Sequence, residues 1–520
     1  MIKLTGNLRT DFEKVTKENT QLKDRILGYQ ERIKSLQSSL KSSEKSKKKQ
    51  QCAYEAAIAE KDAVIKELKN KIAHMAAIAD HDSSNTGMPT AATPIDKKKH
   101  IPNSRRGSHK SKEGQPGHER HVMQAFSDDE ITEYIHHELD IKAEVCDLCD
   151  GKLKDTGKTV TKDEFDVQIK VSKRRHEFHI YECTECGATV RLQIEKNLKE
   201  QNQYGETLQA LALSLMVTGN VAINKVKMLL SGMTNGMMKP SEGFICKLYK
   251  RASDKLKDFM EDLRKYLITR TLLYWDDTVI MIMTKRACMR FYGDETISYY
   301  TAHEKKDLNG ILEDDILTVL TEDTTVMHDH NRVNYNDRFS FENIECNQHL
   351  ERDLQKVTDD NPGHTWSSKL KSHISKTIKE RKDLIAKGEV SFSGEYIKKF
   401  KAKLKRLLKK GYKENEKSTN TYHAPFEAAL LKRIEEYEDN YFQWVEDFSL
   451  PTTDNLSERG LRSIKSHMKI SGQFESEKTA KYYAVVKSYV ETCRKNGVNE
   501  MDALSRLCAG NPYTVTEIIG

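Results

Sequence analysis

Leu272-Leu-Tyr-Trp-Asp-Asp-Thr-Val-Ile-Met-Ile-Met283 is the stretch whose reading decides the fold. β-branched, aromatic and other apolar residues dominate it and no Gly or Pro interrupts it, so it predicts a long strand. Ala287-Cys-Met-Arg-Phe-Tyr292, then Gly293-Asp-Glu295, then Thr296-Ile-Ser-Tyr-Tyr-Thr-Ala302 predicts a β-hairpin. A helix is expected from about Leu308 to Leu320. Thr324-Thr-Val-Met-His-Asp329 reads as a fourth strand, and Asn343-Ile-Glu-Cys-Asn347 as a short fifth running into a helix at His349. Residues 366–448 read as almost wholly helical. Three strands, a helix, a strand and further helices is the order of a ribonuclease-H-like mixed α/β domain. The long helical stretch is then an insertion before the final helix.

In such a domain one acid on the first strand, one at the end of the fourth and one on a late helix meet at the sheet's edge. Asp276 lies mid-strand, Asp329 ends the fourth strand, and Glu458 lies in Asp454-Asn-Leu-Ser-Glu-Arg459, which opens a helix after Pro451. Three clustered carboxylates repel unless cations sit between them. Mg²⁺, or Mn²⁺ in its place, suits hard oxygen ligands, and a pair of such ions clamps the attacking and leaving oxygens of an in-line phosphoryl displacement. The chain carries 79 Asp and Glu, so spacing alone matches many templates. Asp277 should face away from Asp276 across the strand. Asp294 and Glu295 are better explained by the hairpin turn.

Two Cys-x-x-Cys pairs stand upstream, Cys146 with Cys149 and Cys183 with Cys186. Four thiolates at this spacing can close a tetrahedral, purely structural Zn²⁺ site, with chance spacing or redox disulfides as the competing readings. Gly187, just after the second pair, suits a tight knuckle, and β-type segments are expected near Glu164 to Val171 and Arg175 to Glu182. Cys346 and His349 have a ligand-like spacing but no evident partner pair, and a structural place beside the carboxylates is the plainer reading.

At the N-terminus, Leu8, Phe12, Val15, Asn19, Leu22, Ile26, Tyr29, Ile33, Leu36 and Leu40 recur in steps of three and four. With Phe12 at heptad position a, Asn19 and Ile26 also fall at a and Leu22 and Leu36 at d, a pattern that favours a parallel dimer. Polar residues 42–51 interrupt it, and it resumes at Tyr54, Ile58, Ile65, Leu68, Ile72 and Met75 as after a stutter. The competing reading is an amphipathic helix packed on its own domain.

The 520 residues carry a net charge of +7, with 37% hydrophobic and 32% charged residues. That balance indicates long exposed helices or linkers beside a folded core. Residues 97–120 hold eight Lys or Arg against two Glu, among them Arg105, Arg106 and Lys110. The run is either a solvated tail or a flexible arm that tracks phosphates. Lys398–Lys413 holds nine basic and no acidic residues over an apolar stripe of Ile397, Phe400, Leu404, Leu407 and Leu408. Lys398, Lys401 and Lys405 on its outer face are candidate backbone contacts. The segment from Val221, a break at 231–236 and a helix from Ser241, whose side chain is a plausible N-cap, reads as a helix-turn-helix or as an ordinary helix pair. No secretory leader and no apolar run long enough for a bilayer is evident. Ten cysteines, six of them scattered, fit a reducing compartment. A soluble, intracellular protein with no membrane partner is expected.

These motifs together resemble transposases of the insertion sequence sixty-six family, which use a DDE-type triad. The resemblance runs from the coiled coil to about Leu507. Asp82-Ser-Ser-Asn-Thr-Gly-Met-Pro-Thr90, Lys97-Lys-Lys-His-Ile-Pro-Asn-Ser-Arg-Arg106 and Glu113-Gly-Gln-Pro-Gly-His118 are similar to the family's linker, and the Cys pairs to its zinc module. Trp275-Asp-Asp-Thr278 stands where the family has Asp-Glu-Thr. Asp329 stands at its Asp-Gly-Tyr, with His330-Asn331 in place of Gly-Tyr and Tyr335 six residues on. Cys346, His349 and Arg352 match Cys-x-x-His-x-x-Arg. Thr453-Asp-Asn-Leu-Ser-Glu-Arg-Gly-Leu-Arg462 resembles Asp-Asn-Asn-x-x-Glu-Arg-x-x-Arg, with only the last Asn of its opening kept. Tyr489-Val-Glu-Thr-Cys-Arg-Lys-Asn-Gly497 is similar to its closing helix, whereas its Gly-Arg-Lys-Asn stretch is poorly kept around Lys469 to Gln473.

The resemblance implies Asp276, Asp329 and Glu458 as the catalytic acids, two successive phosphodiester transfers on DNA, small accessory proteins as partners, and Arg459 and Arg462 as phosphate contacts. An ion pair is the alternative for Arg459. The expected architecture is multidomain α+β: coiled coil (1–79), basic linker (80–120), zinc-ribbon-like module (121–195), helical DNA-binding region (196–270), ribonuclease-H-like core (271–356 and 451–520, with C-terminal helices) and helical insertion (357–450). The alternative function is a dimeric zinc-containing DNA-binding protein that is catalytically inactive or repurposed.

Overall fold

The computed structural model describes residues 6–79, 124–139, 145–194, 198, 200–361, 363–418 and 422–520. The chain falls into two units, residues 1–85 and 86–520.

The first unit is one helix, α1 (Leu8–Ala79). At 1.5 Å per residue it spans roughly 110 Å. It continues unbroken through 42–51, where the apolar pattern lapses. Where its side chains are described, the stripe is exposed: Phe12 is 74%, Ile26 55% and Leu36 63% accessible.

In the second unit, residues 145–194 form two small turns and a hairpin, β1 (Ile180–Glu182) against β2 (Thr189–Arg191). A longer strand was expected from about Arg175 and another near Glu164 to Val171. Instead residues 164–171 and 175–179 are irregular and largely exposed, and among the described residues no strand lies beside them to take up their backbone N–H and C=O groups.

Helices α2 (Glu206–Val217), α3 (Ile223–Met233), α4 (Glu242–Lys255) and α5 (Lys257–Leu267) follow. Ser241 caps α4 as expected, its hydroxyl accepting from the Phe244 N–H at 3.1 Å. The break after α3 is made by Asn235 and Gly236, both at positive φ.

Next comes a five-stranded mixed sheet: β3 (Leu272–Ile282), β4 (Lys285–Gly293), β5 (Ser298–His303), β6 (Thr325–His328) and β7 (Glu342–Glu345), in spatial order β5-β4-β3-β6-β7. β3, β4 and β5 are antiparallel, while β6 runs parallel to β3 and β7 parallel to β6. Met283 and Thr284 join β3 to β4 as a two-residue turn, both at positive φ. That is the primed-turn geometry that matches strand twist, here made without glycine. The second hairpin turns as expected: Asp294 Oδ1 accepts from the N–H groups of Thr296 (2.7 Å) and Ile297 (2.6 Å). Between β5 and β6, α6 (Leu308–Asp314) is shorter than the expected helix to Leu320. Asp315, at φ 49°, ends it, and a single 3₁₀ turn at Leu317–Val319 takes the chain on so that Ile316 and Leu317 enter the core.

After β7, α7 (Asn347–Asp360), α8 (Trp366–Ile385), α9 (Gly394–Glu416), α10 (Ala424–Glu436) and α11 (Glu438–Phe442) build a helical body with its own apolar core. That core already begins with Leu350, Leu354 and Val357 of α7. The predicted stripe of α9 supplies Phe400, Leu404, Leu407 and Leu408 to it.

The chain then returns to the sheet with α12 (Asn455–Ser471), α13 (Glu477–Lys495), α14 (Glu500–Ala509) and α15 (Val515–Ile519). α13 covers the edge strand: the Ser488 hydroxyl accepts from the Tyr300 N–H at 2.8 Å, and Thr492 bonds both ways with Ser298 at 3.2 Å. Helices α2–α5 share one continuous core with the sheet and the C-terminal helices.

Candidate active site

β3 and β6 bring the first two acids together. Their register pairs Leu272 with Thr325, Leu273 with Val326 and Tyr274 with Met327. Two residues further along each strand stand Asp276 and Asp329. Because side chains alternate, both carboxylates lie on the same face as the last pair. Asp276 Oδ1 accepts from the Asp277 N–H at 2.7 Å. Burial, then the charge of Asp329, pushes the Asp276 carboxyl up to about 8. Burial also raises Asp329, against the pull of His349 and His328. The turn carrying Asp329 is pinned through its carbonyl, which accepts from the His328 ring at 2.7 Å and the Asn334 side chain at 3.2 Å.

Asp277 takes the opposite face, as alternation requires, and is held there by Lys306 at 2.5 Å. Asp294 and Glu295 lie at the far hairpin.

α12 brings the third acid. It sits close on the sheet because residue 460 is glycine: a Cβ there would meet the Phe291 ring at 3.0 Å and the Tyr300 hydroxyl at 3.1 Å. The Tyr300 hydroxyl donates to the Gly460 carbonyl at 3.2 Å. Two residues earlier, Glu458 accepts from Arg352 of α7 at 3.1 Å, and His349 Nε2 lies 3.8 Å away. Arg459 and Arg462 are exposed on the same helix.

Sequence reasoning missed two residues here. Arg352 belongs to a quoted motif but had no role. Asp454, noted only as a departure, lies one helical turn before Glu458, and that i, i+4 spacing was the available signal. It is fully buried, and burial followed by the charge of Asp276 raises its carboxyl well above the usual range.

The donors are all hard oxygens, the chemistry that Mg²⁺ or Mn²⁺ takes; Asp276, Asp329 and Asp454 are largely buried, whereas Glu458 is half-buried and carries Arg352 as its cationic partner. Among the described residues, no three His, Cys, Asp or Glu side chains are drawn tightly enough together to hold an ion without movement.

The same holds for the cysteines. Each pair forms the same knuckle. Cys146 N–H bonds the Gly151 carbonyl at 2.9 Å and Cys183 N–H the Ala188 carbonyl at 2.8 Å. Asp150 and Gly187, each just after the second Cys, adopt positive φ and return an N–H to the first Cys carbonyl at 2.9 Å. Backbone N–H groups, those of Leu148 and of Cys186 first, lower the Cys146 and Cys183 thiols. Among the described residues the two pairs stand apart from each other.

Of the basic candidates, Lys398 and Lys405 are exposed, whereas Lys401 is engaged by Glu446 at 2.6 Å. Arg105, Arg106 and Lys110 lie outside the described residues.

A mixed sheet thus carries two acids on adjacent parallel strands and a third on a helix laid across it. The family model described as "Transposase IS66 family" matches residues 203–482, more than half of the chain, and the protein belongs to that family. No curated protein matches the chain. Membership carries a transposase role, with DNA as the partner. No described helix is long and apolar enough to cross a membrane.

Proposed function

We propose that the chain cleaves the ends of an insertion element and joins the freed 3′-hydroxyls to target DNA, with Asp276, Asp329 and Glu458 as the catalytic acids. The observation that carries this reading is the side-by-side placement of Asp276 and Asp329 on β3 and β6, with α12 laid across them. The sheet's order and strand directions support the ribonuclease-H-like assignment.

The three acids would hold Mg²⁺ or Mn²⁺. The ion would offset the charge that builds on the phosphate oxygens during in-line displacement. In the first step a water oxygen attacks phosphorus and the bond to the 3′-oxygen breaks, leaving a 3′-hydroxyl and a 5′-phosphate. In the second, that hydroxyl attacks a target phosphodiester, a new 3′-O–P bond forms, and the target's own 3′-oxygen departs. Arg459 and Arg462 would grip phosphate beside the acids.

Lys398 and Lys405, with Arg105, Arg106 and Lys110, would track the DNA backbone, and Lys401 would join them only on release from Glu446. The matched Cys knuckles support a structural Zn²⁺ held by Cys146, Cys149, Cys183 and Cys186. The exposed stripe of α1 supports self-association as a coiled coil. Small accessory proteins and a nucleoid location in the cytoplasm complete the reading.

Strand transfer on a labelled element end tests it. Wild type with Mg²⁺ or Mn²⁺ is expected to join ends to target. Asp276→Ala, Asp329→Ala and Glu458→Ala should each abolish joining while DNA binding persists. Binding by wild type without metal-dependent cleavage overturns the proposal in favour of a non-cutting DNA-binding protein.

A further inference from the structure

Asp454 occupies the N-cap position of α12, where an aspartate ordinarily accepts from a backbone N–H two or three residues on. It makes no such bond. The residue is fully buried, and neither carboxylate oxygen has a hydrogen-bond partner among the described residues. The neighbouring Ser457 hydroxyl donates to the Asp454 carbonyl, at 3.1 Å. The Asp454 N–H is bonded to Cys346 Sγ at 3.2 Å, which fixes the residue against the start of α7. The charges that bear on its carboxylate are those of Asp276, Asp329 and Glu458, every one of them acidic.

A buried carboxylate needs donors or a counter-charge; this one has no counter-charge, and the nearest donor, the Ser457 hydroxyl, offsets only a small part of its burial. Capping does not explain it and apolar packing does not need it. Glu458, one turn further along α12, has Arg352 as its partner. Asp454 is therefore the α12 carboxylate left without one, turned toward the acids of the sheet edge.

Resting on the cation-binding reading above, we propose that Asp454 is a fourth carboxylate of the site, which takes a divalent cation together with Asp276. Four oxygen-bearing side chains from two strands and one helix suit an ion that favours hard ligands and keeps several waters. α12 then contributes two ligands at i and i+4 on one face, so that its seating on the sheet sets both at once.

Calorimetric titration of the full chain with Mn²⁺ alone, without DNA, tests this. Wild type is expected to bind, and Asp276→Asn to lose binding. Asp454→Asn should bind at least tenfold more weakly, with unchanged circular dichroism and a smaller Mn²⁺-induced rise in Tm. Asp454→Ala, which removes the unpartnered oxygens altogether, replaces the amide if that variant does not fold. Wild-type affinity in a folded Asp454 variant, together with loss in Asp276→Asn, overturns the role of Asp454 and leaves the catalytic reading standing. No Mn²⁺ binding by wild type overturns both.

Discussion

Arg352 of α7 donates to Glu458 of α12 at 3.1 Å, a contact between residues 106 positions apart that joins the helical body to the helix lying on the sheet. A guanidinium is thereby set against one of the acids proposed to hold a cation. Arg352 is about half exposed, so the pair contributes little to stability, on the order of 0–1 kcal/mol. Its larger effect should be competition. Arg352→Gln is expected to tighten Mn²⁺ binding two- to tenfold while moving Tm by no more than a few degrees. Calorimetry and a thermal melt of the same sample check both.

Gly460 sets how closely α12 can approach the sheet. A methyl group there meets the Phe291 ring and the Tyr300 hydroxyl at about the closest distance that carbon tolerates. Gly460→Ala should cost about 1–3 kcal/mol, as overpacking does. It should also lower strand transfer more than DNA binding, because Asp454 and Glu458 ride on the displaced helix. Urea melts and paired binding and joining assays would show whether the two losses separate.

The raised acids predict a pH dependence of the metal-free protein. Asp276, at about 8 when folded, holds its proton where the unfolded chain has lost it. Folding then binds more protons than unfolding between the ordinary carboxylate range and pH 8, so stability falls as pH rises through that window and levels off above it. Asp329 and Asp454 act in the same direction. The loss should be on the order of a few kcal/mol, and millimolar Mg²⁺ at pH 8 should restore much of it. Melts at pH 5.5 and pH 8, with and without Mg²⁺, check this.

His467 predicts the acid limb. It stacks between Phe474 and Tyr483, ring centroids 5.2 and 4.7 Å away, and burial lowers it to about 4. Here the unfolded chain binds the extra proton below about 6.5. Stability should therefore fall as pH drops from 6.5 to 4, by up to ~3 kcal/mol from this residue. His467→Phe should flatten that limb, read from urea unfolding at pH 4.5 and pH 7.

Much of the core was legible in the sequence because its signals are local. The strand at 272–283, the Asp294 turn and the Ser241 cap each rest on residues a few positions apart. That Asp276 lies mid-strand and Asp329 at a strand's end was legible in the same way, but spacing alone did not single them out among 79 Asp and Glu; the family resemblance did. The Arg352–Glu458 contact was not, since it depends on how a helix after β7 meets a helix about a hundred residues later. The burial of Asp454 was likewise hidden, because an Asp opening a helix reads as an ordinary cap. The early end of α6 turns on Asp315 adopting a left-handed conformation, which residue type alone does not announce. The strand expected near Glu164 to Val171 failed for want of a partner, a property that alternation within one segment does not encode.

Crystals of the full chain grown with Mn²⁺ and measured for anomalous scattering test the central claim most directly. Ion density roughly 2.1 Å from oxygens of Asp276, Asp329 and Glu458 is the predicted result. These acids more than about 10 Å from one another, with ions bound elsewhere, would contradict it.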